Sequence, residues 1–170
     1  MINNVLIVVS EFNRSITTNL ARGAIATLRK HGLEAEQIDL VWVPGAFELP
    51  LLAAKAAKYG RYQGIICLGC VIRGETPHFD YVCNEAARGI MEVSLKAELP
   101  VIFGVLTVDT MAQAEARSRL EAEHPAYAAD SMSKRVISNK GAEAAAAVIN
   151  MIHLMHTHPA RWTKDFPHEG

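Results

Sequence analysis

The residue types best suited to chemistry fall in one stretch, Arg73-Gly74-Glu75-Thr76-Pro77-His78. Thr76 fits a helix N-cap and Pro77 stands where the first helical residue would, so the backbone N–H groups of Gly74, Glu75 and Thr76 gather at a helix start. Free donors at the positive end of a helix dipole favour an anion. A phosphate held this way needs no lysine-bearing Walker loop, and the chain has neither that loop nor a GxGxxG run. A capped helix that merely follows a loop would read the same, so spacing alone leaves both readings open. His78 falls in the first turn of this helix, where an imidazole able to accept or give a proton suits general acid/base work. The competing reading is a half-buried ring that donates to a carbonyl.

Glu48 follows Pro44-Gly45-Ala46-Phe47 and begins a second helix, which puts its carboxylate beside free N–H donors and ready to accept from ligand hydroxyls or amines. Phe12, at a strand end, could stack on a flat heterocycle or simply fill space. Two other patterns carry less. Cys67 and Cys70 form a CxxC, but positions i and i+3 of a strand point to opposite faces and cannot share a metal or close a disulfide easily. His153, His156 and His158 have metal-like spacing without an acid or cysteine partner in register, so no metal site is expected. Cys83 is expected to fill core volume on a helix.

These groups need a scaffold. Half of the 170 residues are apolar and 21% are charged, which fits one ordinary domain able to bury roughly 70% of its unfolded surface. A net charge of −1 offers no basic excess for nucleic acid, so a small ligand is expected. Three cysteines, no cationic start and no stretch of about 18 apolar residues lead us to expect a cytoplasmic protein with no membrane span. Val5-Leu6-Ile7-Val8-Val9 reads as a strand buried on both faces. A helix with apolar positions Ile16, Leu20, Ala24 and Leu28 follows, capped by Ser15 and stopped by Gly32. The alternation repeats: Ala35 to Val43 extended, Glu48 to Tyr59 helical with Gly60 as terminator, Ile65 to Val71 extended, Asp80 to Ala97 helical, Val101 to Val108 extended. Helical patterns run from Thr110 to about Glu123 and from Lys140 to His156.

Such alternation predicts an α/β fold, a three-layer doubly wound sandwich on a four-stranded parallel sheet of order 2-1-3-4, with ligands beyond the carboxyl ends of the strands. Four loops lie there: Ser10 to Asn13, Pro44 to Glu48, Arg73 to His78 and Thr107 to Thr110. Residues 1–157 read as one domain and 158–170 as a tail. The last helix is apolar nearly all round, which points to self-association.

Several of these segments together resemble the 6,7-dimethyl-8-ribityllumazine synthase family, whose fold is flavodoxin-like. The resemblance is carried by Phe12-Asn13, by Trp42-Val43-Pro44-Gly45-Ala46-Phe47-Glu48-Leu49-Pro50, by the run from Gly69 to Val82 that contains Arg73-Gly74-Glu75-Thr76-Pro77-His78, by Pro100 to Thr107, and by Asn139-Lys140-Gly141. It implies a cofactor-free transferase of riboflavin biosynthesis that joins a ribitylaminopyrimidine to a four-carbon ketose phosphate. It further implies that Phe12 stacks on the pyrimidine, that Glu48 with the backbone of Ala46 and Phe47 holds the ribityl chain, and that Cys70, Val71 and Ile72 line the ring edge. Gly74, Glu75 and Thr76 would bind the phosphate and His78 would shuttle protons. Phe103, Arg117 and Lys140 would come from an adjacent subunit.

The chain departs from the family in one place: the link between the helix bearing Arg117 and Asn139-Lys140-Gly141, within 118–138, is longer than usual. Arg119 or Arg135 therefore competes with Arg117 for the phosphate. The long link, with a short segment before the first strand, leads us to expect a homopentamer or a decamer and not an icosahedral shell. A non-catalytic flavin or lumazine carrier is the alternative from another class.

Overall fold

Every residue of the run Val5–Ser10 is shielded from solvent, and it forms strand β1 in the middle of a sheet. An apolar run of this kind is stable only where helices cover both sides. The computed structural model describes residues 4–120 and 139–157. After β1 come α1 (Arg14–Lys30), β2 (Ile38–Val43), α2 (Leu49–Lys58), β3 (Gly64–Ile72), α3 (His78–Ala97), β4 (Val101–Val108), α4 (Met111–Ala116) and α5 (Lys140–His156). The four strands are all parallel in the order β2-β1-β3-β4, with Val5 opposite Ile38 and Gly64, and Ile65 opposite Val101. This is the expected flavodoxin-like sandwich, and it brings the loops after β1, β2 and β3 to one rim of the sheet.

Strand alternation divides the interior in two. Val5, Ile7, Val9, Ile66, Leu68 and Cys70 pack against Leu20, Leu28, Ala145, Val148 and Ile149 of α1 and α5. Leu6, Val8, Ile65 and Cys67 pack against Leu49, Ala53, Ala86 and Ile90 of α2 and α3. Cys67 and Cys70 thus lie on opposite faces, both as free thiols. Burial pushes the Cys67 thiol up to about 12 and that of Cys70 up to about 11. Neither supplies a thiolate near neutral pH, so neither is a nucleophile there. Cys83 is half-buried on α3 and not part of either core.

Several boundaries differ from the sequence expectation, each for a visible reason. Ser15 does not cap α1. Asn13 takes the left-handed conformation (φ 58°, ψ 48°) that asparagine tolerates, and its carbonyl accepts from Ile16 (2.9 Å) and Thr17 (3.1 Å), so the helix has begun by Arg14. Ala35–Gln37 is a 3-10 turn and β2 starts only at Ile38. Glu48 ends a 3-10 turn, Ala46–Glu48, and α2 follows at Leu49. Pro77 (φ −63°) takes the cap position of α3 in place of Thr76, and no side chain caps the helix. The helix after Thr110 stops at Ala116 instead of running to Glu123. The last turn tightens to 3-10 bonds, Arg117 N–H donating to Ala114 O (3.1 Å) and Ser118 N–H to Glu115 O (3.2 Å), and beyond it Arg117 O accepts from Lys140 N–H (2.9 Å) and Ser118 O from Asn139 Nδ2 (3.0 Å).

Gly32 (φ 89°) and Gly60 (φ 64°) do end α1 and α2, as only glycine does cheaply. On α5, one face with Ala144, Ala145, Val148, Ile149 and Ile152 is buried, whereas Met151, Leu154 and Met155 are exposed. The apolar circumference read from its sequence is therefore covered on one side only by the described residues.

Candidate functional site

Three loop ends and the start of α3 surround a cavity of about 530 Å³ at the carboxyl rim of the sheet. Phe12, Ala46, Phe47, Glu48, Cys70, Val71, Ile72, Gly74, Thr76 and His78 all line it, together with Gly45, Phe79, Tyr81 and Val82. Ten residues singled out from sequence thus meet in one place. Of the same group, Glu75 stands in the loop but does not line the cavity.

Each wall has a local cause. The turn after β1 is held by main-chain bonds from Glu11 N–H to Val43 O (2.8 Å) and Phe12 N–H to Pro44 O (3.3 Å), and Asn13 Nδ2 donates to Cys70 O (2.9 Å). That asparagine ties the β1 loop to β3 and leaves the Phe12 ring 72% exposed at the mouth. Nothing in the spacing around Asn13 marks this tie, and the one local signal is its residue type, which enters the left-handed region readily. Glu48 turns its Oε2 back over Gly45, 3.0 Å from where a Cβ would stand, so a side chain at Gly45 would press on the carboxylate and shift it by a few tenths of an ångström. No described residue donates to the Glu48 carboxylate, which leaves its acceptors for a ligand.

The segment 73–78 is exposed throughout. The amides of Gly74, Glu75 and Thr76 find no acceptor among the described residues, as expected for an anion cradle beside the free N–H groups that open α3. His78 is the first residue of that helix, exposed and facing the cavity. The combination is an apolar slot with an aromatic lip, a carboxylate at one side, and main-chain donors with an imidazole at the other. Such a site can grip a flat ring, a polyol and a phosphate at once.

Phe103, Arg117 and Lys140 are elsewhere. They line a second hollow of about 440 Å³ along the edge strand β4, with Thr107 and Glu143, and no described residue lines both hollows. Phe103 is 41% exposed there. Arg117 ends α4, with Nη1 donating to Gln113 O (3.1 Å), and Lys140 Nζ pairs with Glu143 at 2.7 Å. Asn139 joins them. Its Nδ2 donates to Asn19 O and Ser118 O (both 3.0 Å), and its Oδ1 accepts from Gly141 (2.9 Å) and Ala142 (3.1 Å) to cap α5. The two ends of the long link are thereby brought side by side, so its length does not separate Arg117 from Lys140. Arg119 is exposed and lines neither hollow; Arg135 and most of the link lie outside the described residues.

His156 turns Nδ1 to Ile152 O (2.8 Å) and Nε2 toward Gln63 (3.3 Å), while His158 lies outside the described residues. Among the described residues no group of three His, Cys, Asp or Glu side chains is placed to hold a metal, and no helix is long and apolar enough to cross a membrane. Compared with known families, residues 3–156 match the model described as 6,7-dimethyl-8-ribityllumazine synthase.

Proposed function

We propose, since this chain belongs to the 6,7-dimethyl-8-ribityllumazine synthase family, that it condenses 5-amino-6-ribitylaminopyrimidinedione with 3,4-dihydroxy-2-butanone 4-phosphate and releases phosphate and water. The observation that carries the reading is the cavity at the carboxyl rim, where Phe12, Glu48, the Gly74–Thr76 amides and His78 meet. Phe12 stacks on the pyrimidine, with Val71, Ile72 and Cys70 along its edge. Glu48 and the backbone of Ala46 and Phe47 hold the ribityl hydroxyls. Gly74, Glu75 and Thr76 receive the phosphate through main-chain N–H groups, so the exposed Glu75 side chain is not required. His78 moves protons.

The chemistry asks for little more. The amine of one substrate attacks the carbonyl of the other, so the imine joins the two substrates and no lysine Schiff base is needed. The protein orients the pair, stabilises the departing phosphate and relays protons. Orientation alone can contribute on the order of 7 kcal/mol to lowering the barrier. Mixing both substrates with the protein is expected to produce lumazine absorbance and fluorescence; a folded protein that binds lumazine but forms none would favour a carrier instead.

The second hollow supports a site completed by another copy of the chain. Phe103, Arg117 and Lys140 supply the remaining ring contact, a bidentate phosphate clamp and a partner for a ring carbonyl, and they do so for the adjacent subunit. Arg117→Ala is expected to raise the KM for the phosphate substrate about tenfold or more, as loss of a charge-assisted hydrogen bond does. Arg119→Ala is expected to leave it within about twofold; the reverse pattern would move the clamp to Arg119.

Residues 1–157 form the working unit of a cytoplasmic homopentamer or decamer, and the greater length of the link disfavours closure into an icosahedral shell. Sedimentation is expected to show five or ten chains of 18.6 kDa. A particle of megadalton size would overturn this.

A further inference from the structure

The anion cradle has no core to lean on. From Arg73 to His78 every residue is exposed, and a Cβ placed on Gly74 would meet nothing within 4 Å. Order in such a segment must come from polar bonds, because burial contributes none. Those bonds converge on Arg73. Its main-chain N–H closes the β3–β4 ladder at Val108 O (2.9 Å). Its Nη1 and Nη2 grip both oxygens of Asp80 in the first turn of α3 (3.2 and 3.1 Å), and its Nε donates to Asp109 Oδ1 (3.1 Å) just after β4. The guanidinium also lies over the Phe79 ring, 4.1 Å from its centroid. Asp109 is held in turn, since its N–H donates to Gln113 Oε1 of α4 (2.9 Å).

We infer that Arg73 is a positioning residue, one that brackets the Gly74–Thr76 amides and His78 between β3, α3 and the β4–α4 turn so that they face the phosphate already ordered. The inference deepens the proposed synthase reading and rests on it for the identity of the phosphate substrate. Three of the five guanidinium donors are committed to two carboxylates, whose charge offsets that of the arginine. The side chain therefore acts through geometry more than through its own field. All three partners are about half exposed or more, so the pairs add little to global stability. What they contribute is a loop that need not be ordered at the moment of binding.

The test is the sign of a substitution that leaves Arg73 in place. Asp109→Asn removes a negative charge near the anion, which would tighten phosphate binding if Arg73 were itself the ligand or if field alone mattered. A bracket predicts the opposite. Inorganic phosphate, titrated calorimetrically into the assembled protein, is expected to bind about threefold more weakly to Asp109→Asn and about tenfold more weakly to Arg73→Met. The KM for the phosphate substrate should rise by similar factors while that for the pyrimidine stays within about twofold, with unchanged thermal midpoints. Arg73→Lys keeps the charge but not the fork and is expected to behave like Arg73→Met. Unchanged or tighter phosphate binding in Asp109→Asn, full recovery by lysine, or no phosphate binding by the unaltered protein would overturn the inference. Should Arg73→Met fail to fold, Asp109→Asn decides alone. Absence of product from an unaltered protein that still binds phosphate would sink the synthase reading and leave the bracket standing.

Discussion

His78→Ala is expected to slow lumazine formation by up to about a hundredfold without abolishing it, with the KM of each substrate changed by no more than a few-fold. The ring is exposed at the first residue of α3 and borders the cavity. Its removal leaves no hole in either core, so any loss of rate reports chemistry and not folding. The size follows from the division of labour. Proton relay by a side chain typically contributes about a hundredfold to ten-thousandfold, and two intrinsically reactive substrates call for the low end, whereas bringing them together contributes more and survives the substitution. Steady-state rates with both substrates saturating decide the matter. A folded His78→Ala protein with no detectable turnover would mean that positioning is not the dominant effect.

A second large effect concerns the fold. Gly141→Ala is expected to destabilise the protein by about 3 kcal/mol, because a Cβ there would overlap the backbone carbonyl of Leu20 on α1. Helix propensity argues the other way, since glycine to alanine within a helix is ordinarily worth about 1 kcal/mol of gain. The clash wins. The obstacle is backbone, which cannot rotate aside, and α1 and α5 meet along a long shared face. A drop in thermal midpoint of roughly 6 to 12 °C is the expected reading for a chain of this size. The same shift would push Lys140 and the Asn139 cap away from Arg117, so a rise in the KM for both substrates should accompany it. An unchanged or higher midpoint would show that α5 can slide without cost.

How much of this was legible beforehand differs from place to place. The uniformly apolar Val5–Val9 announced a doubly covered strand, and the three-residue spacing of Cys67 and Cys70 announced that they part to opposite faces. Gly32 and Gly60 marked the ends of their helices. The exposed main-chain donors ahead of α3 were readable because a Thr-Pro pair before a helix is a local signal, although the structure moves the cap from Thr76 to Pro77. By contrast, nothing near Ala116 says that α4 must stop there, and the carbonyl of Arg117 just beyond it pairs with Lys140 from across a long link. Asn13 likewise takes its conformation while its side chain reaches Cys70 on another strand.

The chain's own pattern determined the strand and helix sequence, the parallel order of the sheet and the rim at which a ligand would be met, because periodicity, capping and turn preference act among residues a few positions apart. Only the tertiary structure decided that Phe103, Arg117 and Lys140 share one hollow along β4, that Asn139 draws the link's ends together, and that Arg73 ties the exposed loop before α3 to Asp80 and Asp109. Those are hydrogen bonds and contacts between groups far apart in sequence, and no local spacing encodes which distant carbonyl or carboxylate will be within reach once the sheet has formed.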